Sequence, residues 1–481
     1  MPRIPKLVLP ALLALALLVG SGPAARAWDG PQYLVGAYYY VWYPNNFRYG
    51  YLREKLRPAQ SPVLGEYDSS DPTVVEQHIA WASRYGIDFF AVDWWPSREE
   101  QNARISQGLL QASNIDDIKF CIFHETWELA FRPHDGKTPF GGDVNDKFVE
   151  DLKEVARTFF DHPSYLKIDG RPVIILYLTR TFTGDYGGAI SRLRQELQEM
   201  GYGNPFIIAD EVYWQVTSTS TQRLVDEPQV DRMRQFDAVT AYNMHDQLLE
   251  DEHYGYPGGN SFLQDVTDKY QEYYQACGQD IAFIPGVMPG FNDRGTRLGS
   301  DHFAIPRLMD AGAEEGSVFS AALDDFVIPF LSPDRAVNMV LITSWNEWNE
   351  DTNIEPVNPA DKTNEDESGR ARRISQGFYY SGYDTTYLEI VRDKLHAVHG
   401  RLLDSQGLPV SEREVCVWDQ ESDTTLECDT SDSQGYYIIS RLNLSPGTSY
   451  QVGPAELSQR TTVTVLQSRS VEANFTWPDQ E

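Results

Sequence analysis

The chain has 481 residues, 71 of them acidic against 40 basic, and a formal net charge of −31. An excess of that size repels phosphate backbones and anionic bilayers, which argues against nucleic acid or a membrane surface as partner and leaves neutral molecules such as glycans. Aromatic residues make up 12%, with 27 tyrosines and 11 tryptophans, and the four cysteines are too few for a disulfide scaffold.

Arg3 and Lys6 precede an apolar run from Leu7 to Val19, and Ala25-Arg26-Ala27 follows. This is the pattern of a secretory signal peptide over residues 1–27, and it predicts an exported, extracytoplasmic chain. The apolar run is too short to cross a bilayer, and no other stretch approaches the roughly 20 apolar residues a membrane helix needs.

Eight apolar, β-rich runs follow: Leu34–Trp42, Asp88–Trp95, Lys119–Glu125, Pro172–Thr179, Pro205–Asp210, Ala238–Asn243, Ala282–Gly290 and Val337–Trp345. Helix-like or loop segments separate them. Asp71-Pro72 reads as the cap and first residue of one helix, and Asp143 to Phe160 carries apolar residues at helical spacing. Eight strand–helix units predict an α/β protein built as a (β/α)8 barrel over residues 28–398. A doubly wound open sheet is the alternative, weakened because no glycine-rich dinucleotide fingerprint follows the first strand.

From about Tyr387 an amphipathic helix (Leu388, Val391, Leu395, Val398) closes this domain, and the pattern then changes to short alternating strands broken by turn residues. Residues 399–481 are therefore expected to form a small all-β sandwich. Its Asp432 to Tyr437 stretch resembles the turn of carboxypeptidase-regulatory or transthyretin-like modules. Cys416 and Cys428 lie nearly symmetrically about Glu421-Ser422-Asp423. In a hairpin they face each other, so a disulfide is expected, with two separately buried thiols as the alternative.

Each barrel run ends in residues a core would not choose: Tyr40 to Tyr43, Asp93 to Trp95, His124 and Glu125, Tyr177, Asp210 and Glu211, Tyr242 and Asn243, Pro289 to Asn292, and Asn346 and Glu347. Strand ends of a barrel converge on one rim, where active sites sit. The last run leads into Glu347 and Glu350 among tryptophans, a pairing that suits chemistry on sugars. One carboxyl gives a proton to a leaving oxygen, another acts as base or nucleophile, and indole faces cover the C–H side of a pyranose. No histidine spacing supports a metal site, and neither metal nor cofactor is expected.

The string from Ser344 to Glu355, Ser-Trp-Asn-Glu-Trp-Asn-Glu-Asp-Thr-Asn-Ile-Glu, resembles the Asn-Glu-Trp-His-Glu-Gly-Thr-x-Ile-Glu motif of glycoside hydrolase family 99, the endo-α-1,2-mannosidases and endo-α-mannanases. Tyr38 to Tyr43, Tyr67 to Pro72, Asp93 to Trp95, Phe123 to Glu125 and Pro289 to Arg294 agree in order and spacing. The resemblance covers roughly residues 33 to 395. It implies a secreted endo-acting hydrolase of α-mannosidic linkages in a mannose-containing glycan or polysaccharide, retaining without a protein nucleophile. Glu347 would be base to the substrate's own 2-hydroxyl, forming a 1,2-anhydro sugar, and Glu350 the acid, held protonated by Glu347. Glu125 and Tyr242 match family positions near the reacting sugar. Tyr40, Tyr43, Trp94, Trp95, Asn243, Trp345 and Asn346 complete the expected binding set, with one of Trp94 and Trp95 touching substrate. Asn349 and Asp351 stand where the family has His and Gly, and Asp351 either raises the pKa of Glu350 or points to solvent. A non-catalytic carbohydrate-binding barrel and an endo-hydrolase for another polysaccharide are the competing readings.

Overall fold

Eight strand runs, all parallel, close on themselves, and proline decides how. The computed structural model describes residues 32–130, 137–212, 228–244, 256, 258–297, 304–335, 337–368 and 374–478; the expected leader lies outside them. The strands are β1 (Gln32–Tyr39), β2 (Phe89–Trp94), β3 (Lys119–His124), β4 (Arg171–Leu176), β5 (Phe206–Asp210), β6 (Ala238–Thr240), a seventh run in two pieces, β7 (Ala282–Phe283) and β8 (Gly286–Val287), and β9 (Val337–Ile342). They pair in chain order from β1 to β7, while β8 pairs with β9 and β9 with β1. Pro285 has no N–H to give a ladder and splits the run. Even so, the Ile284 N–H donates to the Val239 carbonyl at 2.9 Å and the Pro285 carbonyl accepts from Leu341 at 3.2 Å. The two halves thus close a (β/α)8 barrel.

Helices α1 (Pro72–Arg84), α2 (Glu99–Gln107), α3 (Asp143–Phe159), α4 (Tyr186–Glu199), α5 (Gly259–Cys277), α6 (Ser317–Phe326) and α7 (Thr386–Leu395) cover the strands. Asp71 caps α1 by accepting the Thr73 N–H at 2.9 Å, with Pro72 as the first helical residue, where its missing N–H costs nothing. Side chains alternate across the sheet. In β1 the Tyr38 ring packs inward on Phe123 and Tyr242, whereas Tyr39 faces outward, stacked on Phe90 with its hydroxyl bonded to Nδ1 of His78 on α1. Gly36 leaves room for the Phe89 ring beside it.

The change of architecture comes at His396, slightly before 399. His396 is extended (φ −122°, ψ 146°), so α7 stops at Leu395, and Val398 belongs to a strand rather than to the helix. The strands β12 (His396–Asp404), β13 (Glu414–Asp419), β14 (Thr425–Thr430), β15 (Tyr436–Ser440), β16 (Ser449–Pro454), β17 (Thr461–Thr464), β18 (Val471–Glu472) and β19 (Phe475–Trp477) follow a hairpin of β10 (Val357–Thr363) and β11 (Tyr380–Asp384). One sheet centres on β12, flanked by β15, β18 and β19; the other runs β14–β13–β16–β17. A separate core of Val398, Leu402, Val417, Tyr437, Ile439 and Val452 lies between them. Cys416 and Cys428 are paired in register on β13 and β14 and joined as a disulfide. Ser83 donates to Asp432 at 2.7 Å and the Ser433 N–H to Asp117 at 2.7 Å, tying this sandwich to the barrel.

A Cβ at Gly36 would lie 2.1 Å from Cζ of Phe89. Gly36→Ala is therefore expected to destabilise the fold by about 1–3 kcal/mol through overpacking, read as a lower urea midpoint; an unchanged midpoint would show that the ring moves aside freely.

Candidate functional site

The segment after β9 is held at almost every turn. The Trp345 N–H bonds the Tyr38 carbonyl at 2.8 Å, the Ser344 N–H the Thr352 carbonyl at 2.8 Å, and the Glu355 N–H the Trp345 carbonyl at 2.8 Å. Ser344 Oγ accepts the Glu347 N–H at 2.8 Å. Asn346 takes the Tyr40 N–H at 2.8 Å on its Oδ1 and gives its Nδ2 to the Tyr40 carbonyl at 3.0 Å, which locks the end of β9 to the end of β1. Asn349 donates to the carbonyls of Asn46 and Gly50 at 3.1 and 2.8 Å. Below the loop, Glu355 accepts Trp348 Nε1 at 2.8 Å and the Tyr67 hydroxyl at 2.7 Å and meets His78 Nε2 at 3.1 Å.

On this support Glu347 is 3% exposed, and Oε1 accepts the Asn349 N–H at 2.9 Å. Glu350 stands at the opening, its side chain 21% exposed with Arg297 Nη1 at 3.5 Å. Burial first and the Glu350 charge second push the Glu347 pKa well above the ordinary carboxylate value, against the pull of the Asn349 N–H and Arg297. Of the two carboxyls Glu347 is the desolvated one, and burial favours its neutral form.

A second acid pair lies beside the first. Asp93, at the inward position near the end of β2, accepts Trp95 Nε1 at 2.7 Å and Gln101 Nε2 at 3.0 Å, and burial raises it to about 7. Glu125 is raised as well, by burial and then by Asp93. The donors converge on Asp93, so Glu125 keeps the proton. The Tyr40 and Tyr242 hydroxyls share a hydrogen bond, and the charges of Glu347, Glu125 and Asp93 all act on Tyr40. Asn243 Nδ2 reaches the Tyr177 hydroxyl at 3.1 Å, and Tyr177 feels both Glu125 and Glu350. Trp42 stacks on Tyr40 at 4.2 Å, with Trp95 6.4 Å beyond.

Tyr40, Trp95, Glu125, Tyr242, Asn243, Glu347 and Glu350 are thus brought together at the C-terminal mouth of the barrel. Four expected binding residues are not. Trp94 turns outward and stacks on His124 at 5.3 Å, which in turn meets Phe148 of α3; period-2 alternation sends it opposite to Asp93. Trp345 is fully buried in the same outer layer, against Phe90 and His78. Asn346 is fully buried and spent on the Tyr40 backbone. Tyr43 is also fully buried, its hydroxyl donating to the Asn346 carbonyl at 2.6 Å and accepting the Trp348 N–H at 3.2 Å.

Asp351 neither points to solvent nor lies against Glu350. Its φ of 50° is in the left-handed region, which explains a position where glycine also fits and which Asp tolerates. The turn sends its buried carboxylate between Arg53 Nε at 2.7 Å and Arg307 Nε at 3.0 Å. Sequence reasoning placed Tyr177 and Asp93 on the rim without assigning them a role, and it missed Arg297. Tyr177 and Asp93 do stand at strand ends, whereas Arg297 carried no signal of its own. Its neighbour Asn292 fastens the Glu350 carbonyl at 2.7 Å.

Asp351→Ala leaves the buried Arg307 without its paired carboxylate and Arg53 with only Glu315, at 3.7 Å. The loss is expected at about 3–5 kcal/mol in urea unfolding; a variant as stable as the parent would contradict the structural role.

The family model described as Glycosyltransferase WbsX matches residues 51–364. The glycoprotein endo-alpha-1,2-mannosidase of Mus musculus is 22% identical over 304 residues, 62% of this chain and 56% of the relative. That of Rattus norvegicus is 21% identical over 359 residues, 68% of this chain and 69% of the relative. The chain therefore spans a little over half the length of the mouse protein. A solved structure described as a glycoside hydrolase-like protein shares the fold with a TM-score of 0.53 at 19% identity, over 78% of this chain and 97% of that one.

Proposed function

The chain belongs to the family described as glycosyltransferase WbsX, and from that premise we propose that it is a secreted, endo-acting glycoside hydrolase of α-mannosidic linkages, α-1,2 foremost, working with retention. The observation that carries this reading is the pair Glu347 and Glu350: two carboxyls on one rigid loop at the barrel mouth, one desolvated and one open, each charge acting on the other. The names of the rodent relatives supply the mannoside, and the resemblance to family 99 supplies the roles.

Glu347 Oε1 is occupied by the Asn349 N–H, which leaves its second oxygen to take the proton of a 2-hydroxyl. As that hydroxyl oxygen attacks the anomeric carbon, the bond to the leaving oxygen breaks and Glu350 protonates it. Water then opens the 1,2-anhydro sugar, giving its proton to Glu350 while Glu347 returns one to O2. Two inversions give retention. A 2-hydroxyl that donates to Glu347 favours its charged form, the form a base needs, while Glu350 stands 3.5 Å from Arg297. Trp95, Trp42 and the Tyr40–Tyr242 pair supply ring faces and hydroxyls for the sugar, and Glu125, kept protonated, can donate a hydrogen bond.

Export rests on the charged and apolar pattern of residues 1–27 and on the Cys416–Cys428 disulfide, a bond that persists in oxidising compartments. The sandwich is read as a carboxypeptidase-regulatory-like module carried with the barrel. The family description favours one second reading, transfer of the glycosyl unit to a sugar acceptor instead of water. A digest of α-mannans and high-mannose glycans with product analysis by NMR and mass spectrometry separates the two. Retained, shortened mannosides support hydrolysis; elongated acceptors support transfer. Inertness on every α-mannoside, with binding intact, would leave only a carbohydrate-binding barrel.

Glu350→Gln is expected to lower kcat on an unactivated α-mannoside by about 10²–10⁴-fold with ligand affinity nearly unchanged. Comparable loss of affinity would instead make Glu350 a binding group. Stability carries an independent sign. The Glu347 pKa is raised in the fold, so the native state binds the proton more tightly than the unfolded chain. Stability therefore falls as pH climbs from the unfolded carboxylate value through the folded one. Glu347→Gln removes that loss: its melting temperature should match the parent at pH 4 and exceed it at pH 8. No pH-dependent gap would mean that the fold leaves the Glu347 pKa where the unfolded chain has it.

A further inference from the structure

Away from the mouth, where the sandwich meets the barrel, three guanidiniums line a cleft of about 420 Å³: Arg84 from the last turn of α1, Arg392 from α7 and Arg469 from the loop before β18. Arg84 precedes β2 in the chain, so this cleft is at the strands' N-terminal end, opposite Glu347 and Glu350. Such a concentration runs against the rest of the molecule, in which acids outnumber bases 71 to 40. Among the lining residues the counter-charge is Glu472, whose Oε1 accepts Asn474 Nδ2 at 3.1 Å. Arg392 Nε also meets Asp393 at 3.0 Å. Arg84 and Arg469 have no carboxylate partner among the described residues.

The arrangement is prepared for an anion. The Arg84 guanidinium carbon lies 5.0 Å from the ring centre of Tyr436, and Arg401 covers the same ring at 4.8 Å. A guanidinium stacked on an aromatic face keeps its N–H edge free and aimed. His399, also in the wall, is held neutral: burial first and Arg392 second lower it to about 4, and its Nδ1 pairs with Ser470 Oγ at 2.9 Å. The cleft carries net positive charge without depending on that histidine. Its volume is within the range of about 300–1,000 Å³ typical of small-ligand sites and exceeds what an inorganic anion fills.

We propose that this cleft binds an acidic sugar residue, its carboxylate or sulfate held by Arg84, Arg392 and Arg469. The sandwich would then fasten the protein to an anionic polysaccharide while the barrel mouth works on another chain or another part of the same one. This inference is independent of the mannoside reading.

The test is calorimetric titration of the full chain with an oligogalacturonate, a sulfated galactose oligosaccharide, neutral cellotetraose and inorganic sulfate. One acidic oligosaccharide should bind and weaken as salt rises from about 20 to about 200 mM, and the responding one identifies the anion. Arg84→Gln with Arg469→Gln should weaken it by about tenfold or more, as loss of charge-assisted bonds requires, with melting temperature and α-mannoside hydrolysis unchanged. Arg469→Gln alone, at an exposed position, gives the same direction should the double variant fold poorly. Acidic oligosaccharides binding no better than cellotetraose, inorganic sulfate binding as well as either of them, or variants binding like the parent would each overturn the proposal.

Discussion

The candidate site depends on one buried carboxylate, Asp351, held between Arg53 and Arg307. Arg53 follows β1, Arg307 follows the two-piece seventh run, and Asp351 follows β9, so the three loops around the mouth meet at one point. Arg307 adds Nη2 to the carbonyls of Asp351 and Asn353 at 2.7 and 2.9 Å, and Arg53 adds Nη1 to the Ser381 carbonyl at 3.0 Å. Burying three charges gives little net stability when all are paired. What it provides here is position, because the loop cannot shift without exposing or orphaning a guanidinium.

That rigidity lets the protein hold four carboxyls in one small region. Glu347, Glu350, Asp93 and Glu125 repel one another when charged, and three of them are buried. A flexible loop would relieve the repulsion by moving a side chain into water. A fastened loop relieves it by taking up protons, and the buried groups hold them at pH values where an exposed carboxyl is charged. Neighbouring carboxyls placed in unlike surroundings are what acid–base work requires. Tyr40, bonded to Tyr242 and within reach of the charges on both pairs, links them.

The two ends of the barrel are built for different charges. At the C-terminal mouth acids gather among tyrosines and tryptophans; at the N-terminal end arginines gather against the sandwich. The joint between the modules carries polar contacts, with His396 Nε2 on the Gly86 carbonyl at 2.9 Å and Arg441 Nη2 on the Asp393 carbonyl at 2.7 Å. The sandwich is therefore set directly on the barrel floor, since α7 runs into β12 without a linker.

The barrel was legible because strand and helix periods alternate eight times, and local pattern determines local structure whatever the partner. The rim was legible for the same reason: polar and aromatic residues at the ends of apolar runs have only one place to gather. The Glu347–Glu350 pair and the disulfide cysteines were visible from residue type and spacing. Which aromatic faces the mouth was not, because Trp94 and Trp345 read like Trp95 in sequence, and only pairing register decides which side of the sheet each takes. The raised proton affinity of Glu347, the destination of Asp351 and the arginine cleft were beyond it too. Each depends on burial and on charges brought together from distant loops, which exist only once the chain has closed.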